Sequence, residues 1–366
     1  MSKETSILSA KDITVKFKVR DRTLTAIRNI SLDLYEKETL AIVGESGSGK
    51  SVLTKTFTGM LDSNGFVANG EIEYKGKNLL ELKNDQEWEG IRGAEIATVF
   101  QDPMTSLNPI RTIGSQITEV IIKHQKKSNG EAKKLAIELM EKTGIPNAKE
   151  RFNEYPFQYS GGMRQRIVIA IALACRPKIL ICDEPTTALD VTIQAQILSL
   201  IKSLQEEFSF ATIYITHDLG VVASVADRVA VMYAGQVVEY GTAEDIFYDS
   251  KHPYTWSLLS SMPQLGIKGE SLSMIPGTPP SLYKEIVGDA FAPRNIYAMK
   301  IDFEEEPPFF KINETHYAKT WLLDPRSPKV EMPGAIKNLH KKMKALVKNT
   351  GYGSEEEGGT SNEQDK

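Results

Sequence analysis

Cysteine is nearly missing from the chain: only Cys175 and Cys182 occur in 366 residues. Both sit in apolar runs, which excludes a disulfide framework. An excess of positive charge is missing too. The 44 Lys and Arg stand against 48 Asp and Glu, a formal charge of −4, so nothing favours nucleic acid as a partner. No long hydrophobic run is present: Ile167 to Cys175 covers about half of the roughly 20 residues needed to cross a bilayer. The opening MSKETSILSA carries Glu4 and no apolar core, so a secretory leader is not expected. Internal repeats are absent, which removes tandem arrays. What remains is a cytosolic globular chain of about two units, at roughly 150 residues each.

Within it, strand and helix patterns alternate. Asp12 to Val19 is β-rich, Thr39 to Val43 is an apolar strand, Ser51 to Met60 has helical character, and GEIEYKGK at 70–77 alternates with period two. From Leu107 to Ala174 helix predominates: Ser128 and Glu131 have capping-box spacing, and Gly144 is a stop signal. Strands return at Lys178 to Cys182, Ala211 to Ile215 and Arg228 to Met232. Between the first two, Ile193, Ile197, Leu200, Ile201 and Leu204 form an amphipathic stripe. Such alternation predicts an α/β fold with a mainly parallel sheet and helices on both faces. Beyond Phe247 the chain becomes proline-rich, and its last stretch, GYGSEEEGGTSNEQDK, has the composition of disorder.

GESGSGKS at 44–51 follows an apolar strand and opens a helix. Its glycines let the backbone N–H groups of Gly44, Glu45, Ser46, Gly47, Ser48 and Gly49 curl towards phosphate oxygens. Lys50 then reaches the β and γ phosphates of a nucleoside triphosphate, and the Ser51 hydroxyl ligates Mg²⁺. KILICDEP at 178–185 delivers two acids to the sheet's ligand-binding edge. Asp183 can hold Mg²⁺ through water, and Glu184 can polarise an attacking water. Ser160, Gly161 and Gly162 in YSGGMRQR open a helix whose free N–H groups suit an anion, although an ordinary capped helix has the same residues. Gln101 in FQDP passes equally for a turn residue, and His217 in YITHD for a structural histidine.

In this order the motifs resemble those of the ATPase subunits of ABC transporters. The resemblance covers about residues 7–330. It makes Gly44–Ser51 the Walker A loop, Gln101 the Q-loop residue and a further Mg²⁺ contact, and Ser160–Gln165 the signature. Asp183 and Glu184 become Walker B, Asp190 the D-loop residue and His217 the switch histidine. Phe17 sits where the family places a ring under adenine. Implied with these are a P-loop, RecA-like core, an antiparallel β portion and a helical subdomain at about 104–175. The nucleotide-binding unit would span residues 1–250, followed by an extension at 251–335 and a helical or disordered acidic tail at 336–366. The family sandwiches ATP between Walker A of one subunit and the signature of another, so a second, paralogous ATPase subunit is implied. Glu184 and His217 would carry the hydrolysis. Being side chains at the sheet edge, Lys50 and Glu184 are expected to be replaceable without unfolding the chain.

HPYTWSLLSSMP at 252–263 and IPGTPPSLY at 275–283 resemble the oligopeptide and dipeptide importer branch. That implies two membrane permeases, an extracytoplasmic peptide-binding protein and a peripheral position on the cytoplasmic face of the cell membrane. Dipeptides, nickel or another small solute are alternative cargoes. A non-transport ABC ATPase is less favoured, because one cassette, no heptad run and a negative balance argue against it. Many members of the branch carry four extension cysteines thought to hold an iron–sulfur cluster. The matching positions here are Asp289, Asn295, Asp302 and Thr320, so no such cluster is expected. Phe291, Tyr297, Phe309, Phe310 and Trp321 could supply packing in its place.

Overall fold

The computed structural model describes residues 6–187, 189–261, 275–334 and 336–339. The acidic stretch expected to be disordered, and part of HPYTWSLLSSMP, lie outside those residues. Chain order gives strands β1 (Ser6–Val19), β2 (Arg22–Tyr35), β3 (Thr39–Val43), β4 (Gly65–Tyr74), β5 (Lys77–Asn78) and β6 (Ile96–Val99). It continues with β7 (Ile179–Asp183), β8 (Ala211–Thr216), β9 (Arg228–Tyr233), β10 (Gln236–Thr242), β11 (Phe310–Lys311) and β12 (Tyr317–Ala318).

These strands form two sheets. One is antiparallel, ordered β2-β1-β4-β5, and buries Ile13, Val15 and Phe17 on one face of β1 by simple alternation. The other is ordered β11-β12-β10-β9-β3-β8-β7-β6. Its centre, β9-β3-β8-β7-β6, is parallel throughout. Every residue of β3 and of β8 is buried, which explains why neither alternates apolar with charged residues: strands covered on both faces have no solvent side. Burying each such Ile or Leu contributes about 1.5–3 kcal/mol before entropy is counted. Parallel strands also end at one edge. The segments after β3, β6, β7 and β8 therefore emerge side by side.

The helical region consists of Ile113–Gln125, Asn129–Lys142, Ala148–Arg151 and Gly161–Leu173. Its boundaries follow local chemistry. Ser128 and Glu131 form the reciprocal capping box, Thr112 and Ser160 cap the helices that follow them, and Gly144 takes φ +77° after the second helix.

The extension closes against both sheets. β12 pairs with β10, and the Thr25 amide of β2 donates to the Leu282 carbonyl at 3.1 Å. Aromatic rings hold it: Phe291 lies 5.3 Å from both Tyr233 and Tyr254, Tyr297 5.8 Å from Trp256, and Phe309 5.7 Å from Tyr240. Phe310 and Trp321 meet at 6.1 Å. Asp289, Asn295, Asp302 and Thr320 are all buried. Each turns its oxygen onto a nearby backbone N–H, of Phe291, Tyr297, Met299 and Leu322 respectively.

Candidate functional site

The loop after β3 is built on backbone that favours glycine. Gly44 has φ +152°, Gly47 +78° and Gly49 +102°. A Cβ on Gly44 would lie 2.1 Å from the Met232 carbonyl oxygen of β9, whereas one on Gly47 would meet nothing within 4 Å. Gly49 then starts the helix Lys50–Phe57 without a side-chain cap, leaving its first N–H groups unclaimed. Lys50 is buried and folds back over the loop, donating to the Gly44 carbonyl at 2.8 Å and the Glu45 carbonyl at 3.0 Å. Burial lowers its pKa, while the charges of Glu184, Asp183 and Glu45 oppose that fall.

β7 ends at Asp183, which accepts a hydrogen bond from the Ser51 hydroxyl at 3.1 Å. Burial raises the Asp183 pKa. Glu184 follows at φ +48°, a left-handed conformation costing about 1–2 kcal/mol for a residue with a side chain. Its carboxylate collects groups from three adjacent strand ends. Oε1 lies 3.1 Å from His217 Nδ1, past β8, and Oε2 accepts from Gln101 Nε2 at 3.1 Å, past β6. Thr187 Oγ1 donates to Oε2 as well, at 2.9 Å. Burial pushes the Glu184 carboxyl up, but the bonds from His217 and Thr187 outweigh it, and the net shift is downward. At neutral pH Glu184 is an ionised carboxylate pinned by three donors, still open to the cleft.

That cleft has a volume of about 860 Å³. Ser46, Gly47, Gly49, Lys50, Ser51, Gln101, Asp183, Glu184, Thr187 and His217 line its polar end. Phe17, Val19, Leu24, Ala26, Val52 and Leu282 supply its apolar lining, and Asp62 and Asn64 line it as well. Phe17 lies across Gly65 of β4, where any added Cβ would come 2.5 Å from its ring.

Gly44, Glu45 and Ser48 are not among the lining residues. The Ser48 side chain is buried and the Glu45 carboxylate turns away to Arg294. Ser160, Gly161, Gly162 and Asp190 are also outside the cleft. Ser160 accepts from the Met163 N–H at 3.4 Å and caps its helix. A Cβ on Gly162 would sit 2.8 Å from Ile193, so that glycine permits close packing on the helix Val191–Phe208, which Asp190 caps. Ser160 and Gly161 are exposed. The residues thus fall into three groups: those lining the cleft, the loop residues Gly44, Glu45 and Ser48 behind it, and Ser160, Gly161, Gly162 and Asp190 away from it.

Sequence reasoning missed Thr187, Leu282, Tyr254 and Arg294. Thr187 lies one turn past Glu184, just beyond the quoted KILICDEP stretch. Tyr254 and Leu282 stand inside the quoted stretches HPYTWSLLSSMP and IPGTPPSLY, but nothing local directs them or Arg294 to the loop or the cleft, which they reach from the extension.

A family profile described as "ABC transporter" matches residues 27–187. A second, described as "Oligopeptide/dipeptide transporter, C-terminal region", matches residues 238–301. The chain is 69% identical to the oligopeptide transport ATP-binding protein AmiE of Streptococcus pneumoniae, over 94% of this chain and 97% of that protein. It is 56% identical to the oligopeptide transport ATP-binding protein OppD of Bacillus subtilis, over 94% and 96%. Among solved structures, a dimeric post-hydrolysis state of an ATP-binding cassette bound to ADP and Pi superposes with a TM-score of 0.57 at 29% identity, covering 64% of this chain and 98% of that one. A cassette of a Clostridium perfringens ABC transporter complex superposes at 0.58 with 28% identity, covering 67% and 92%.

Proposed function

The chain belongs to the ABC transporter family of ATP-binding proteins, and from that premise we propose that it is the ATP-hydrolysing subunit of an importer carrying oligopeptides across the cytoplasmic membrane. The observation carrying the catalytic reading is the Glu184 carboxylate, ionised, held by Gln101, Thr187 and His217, and facing the same cleft as Lys50. Lys50 and the loop N–H groups bind the triphosphate, and Phe17 and Leu282 flank the base. Glu184 orients a water on the γ-phosphorus and takes its proton. The bond from that phosphorus to the bridging oxygen breaks, and the electron pair leaves with ADP. His217 steadies the γ-phosphate.

The residues also fit a magnesium ion. The Ser51 hydroxyl and the Asp183 carboxylate lie 3.1 Å apart and, with the Gln101 carbonyl oxygen, make an all-oxygen donor set suited to a hard cation. Bound there, it would neutralise charge on the phosphate oxygens. No iron–sulfur centre is proposed, because the chain's two cysteines are Cys175 and Cys182.

The separation of Ser160, Gly161, Gly162 and Asp190 from the cleft supports a paired arrangement. The signature surface would close a second subunit's nucleotide, and that subunit would close this one's. The reading places a nucleotide-binding unit at 1–250, an importer-type extension at 251–335 and a tail at 336–366. Among the described residues no helix is long and apolar enough to cross a membrane. Permeases would therefore provide the path, an extracytoplasmic binding protein would provide the peptide, and this chain would sit on the cytoplasmic face. Dipeptides are a second reading of the cargo, supported by the wording of the extension profile.

Glu184→Gln tests the chemistry. It should keep ATP binding, accumulate a closed dimer and slow hydrolysis by about 10²–10⁴-fold. Near-normal turnover would mean that another group activates the water. Uptake of labelled oligopeptides and dipeptides by cells with and without the chain distinguishes the cargoes.

A further inference from the structure

Glu45 is the second residue of the phosphate loop, yet its side chain leaves the nucleotide cleft. Arg294, 249 positions later in the extension, grips it with a two-pronged fork: Nη1 to Oε2 at 2.6 Å and Nη2 to Oε1 at 3.0 Å. The Arg294 side chain is only 4% exposed. Two more of its donors are used, Nε on the Pro276 carbonyl at 2.7 Å and Nη1 on Tyr233 Oη at 3.2 Å. From the helix Pro253–Ser260, Tyr254 Oη accepts the Glu45 N–H at 2.8 Å. The Glu45 carbonyl accepts from Lys50 Nζ and, at 3.2 Å, from the Ser48 N–H. Side chain, amide and carbonyl of this one residue are all fixed, the first two from outside the loop.

We propose that Arg294 is a positioning residue for the nucleotide reaction, holding Glu45 so that the opening of the phosphate loop is preset for ATP. The inference rests on the nucleotide-site reading above. A buried ion pair adds little net stability by itself, since desolvation offsets most of its attraction; its geometric consequence is the larger one. Turning Glu45 would move the carbonyl that anchors Lys50. Losing Arg294 would also leave a bare carboxylate on a loop built for a polyanion. The extension touches the base end as well, through Leu282. It therefore braces the phosphate loop from outside, lines the cleft itself and is part of the working ATP site.

The test uses the full chain, with ATP affinity measured by titration calorimetry at temperatures where circular dichroism shows each variant folded. Arg294→Met should weaken ATP binding tenfold or more, and Arg294→Lys, with one prong, should recover part of the loss. The double variant Arg294→Met/Glu45→Met should bind no worse than Arg294→Met alone. Tyr233→Phe, which leaves the fork intact, should stay within twofold of the parent. Parental affinity in Arg294→Met, or losses that multiply in the double variant, would overturn the proposal. Should Arg294→Met not fold, Glu45→Gln carries the test: a loss of at least threefold supports the clamp, and unchanged affinity overturns it. Lys50→Ala in the same titration separates the two readings. If it abolishes binding while Arg294→Met keeps parental affinity, the clamp alone fails; if it too binds normally, the nucleotide site itself fails.

Discussion

Replacing Gly44 with alanine should damage the phosphate loop far more than replacing Gly47, although both glycines have positive φ. At Gly47, with φ +78° and open space around the missing Cβ, only the backbone penalty applies, about 1–2 kcal/mol. At Gly44 a backbone penalty of about 1–3 kcal/mol is joined by a collision. The new Cβ would lie 2.1 Å from the Met232 carbonyl oxygen and 2.9 Å from Ser48 Oγ. Ser48 can rotate. Met232 cannot, because its carbonyl belongs to β9, the buried parallel neighbour of β3. The loop must therefore yield, and overpacking of this kind adds about 1–3 kcal/mol. Together these give about 2–6 kcal/mol for Gly44→Ala. Displacing Gly44 also shifts the carbonyl that Lys50 binds at 2.8 Å, and an ångström of misplacement can cost about a hundredfold in activity. Denaturant unfolding and ATP titration of both variants would measure the contrast. Equal stability and equal affinity in the two proteins would refute the claim that the β9 backbone sets the loop.

Lys50→Ala should lose ATP affinity and also destabilise the chain by about 1–2 kcal/mol, since it strips two hydrogen bonds from loop carbonyls. A loss of that size is compatible with the expectation that the side chain can be replaced without unfolding the chain; unfolding at parental denaturant concentration would show that the two bonds add no net stability. Asp289→Asn should stabilise the protein at pH 8 and leave it unchanged at pH 4. Burial, with the Asp302 and Glu306 charges adding to it, raises the Asp289 pKa from 3.8 to about 7, against the Phe291 N–H that lowers it. The folded state therefore holds a proton that the unfolded state has released, and stability falls as pH rises from about 4 to about 7. Asparagine keeps the acceptor for Phe291 without the charge, so the gain above pH 7 has a ceiling of about 4 kcal/mol. Equal shifts in melting temperature at both pH values would count against a buried carboxyl there.

The sequence by itself determined whatever depends on neighbours along the chain. Glycines at 44, 47 and 49 demanded a curled loop, Ser128 with Glu131 set a helix start, and the charge-free runs of β3 and β8 required strands covered on both faces. Three buried parallel strands then had to present Lys50, Glu184 and His217 at one edge, so most of the cleft was legible. Tertiary structure decided the rest. Nothing near Glu45 specified Arg294, nothing near Phe17 specified Leu282, and the collision guarding Gly44 comes from a strand 188 positions away. Backbone preference acts over a few residues, whereas a salt bridge or a steric wall needs only proximity in space, which the folded chain supplies.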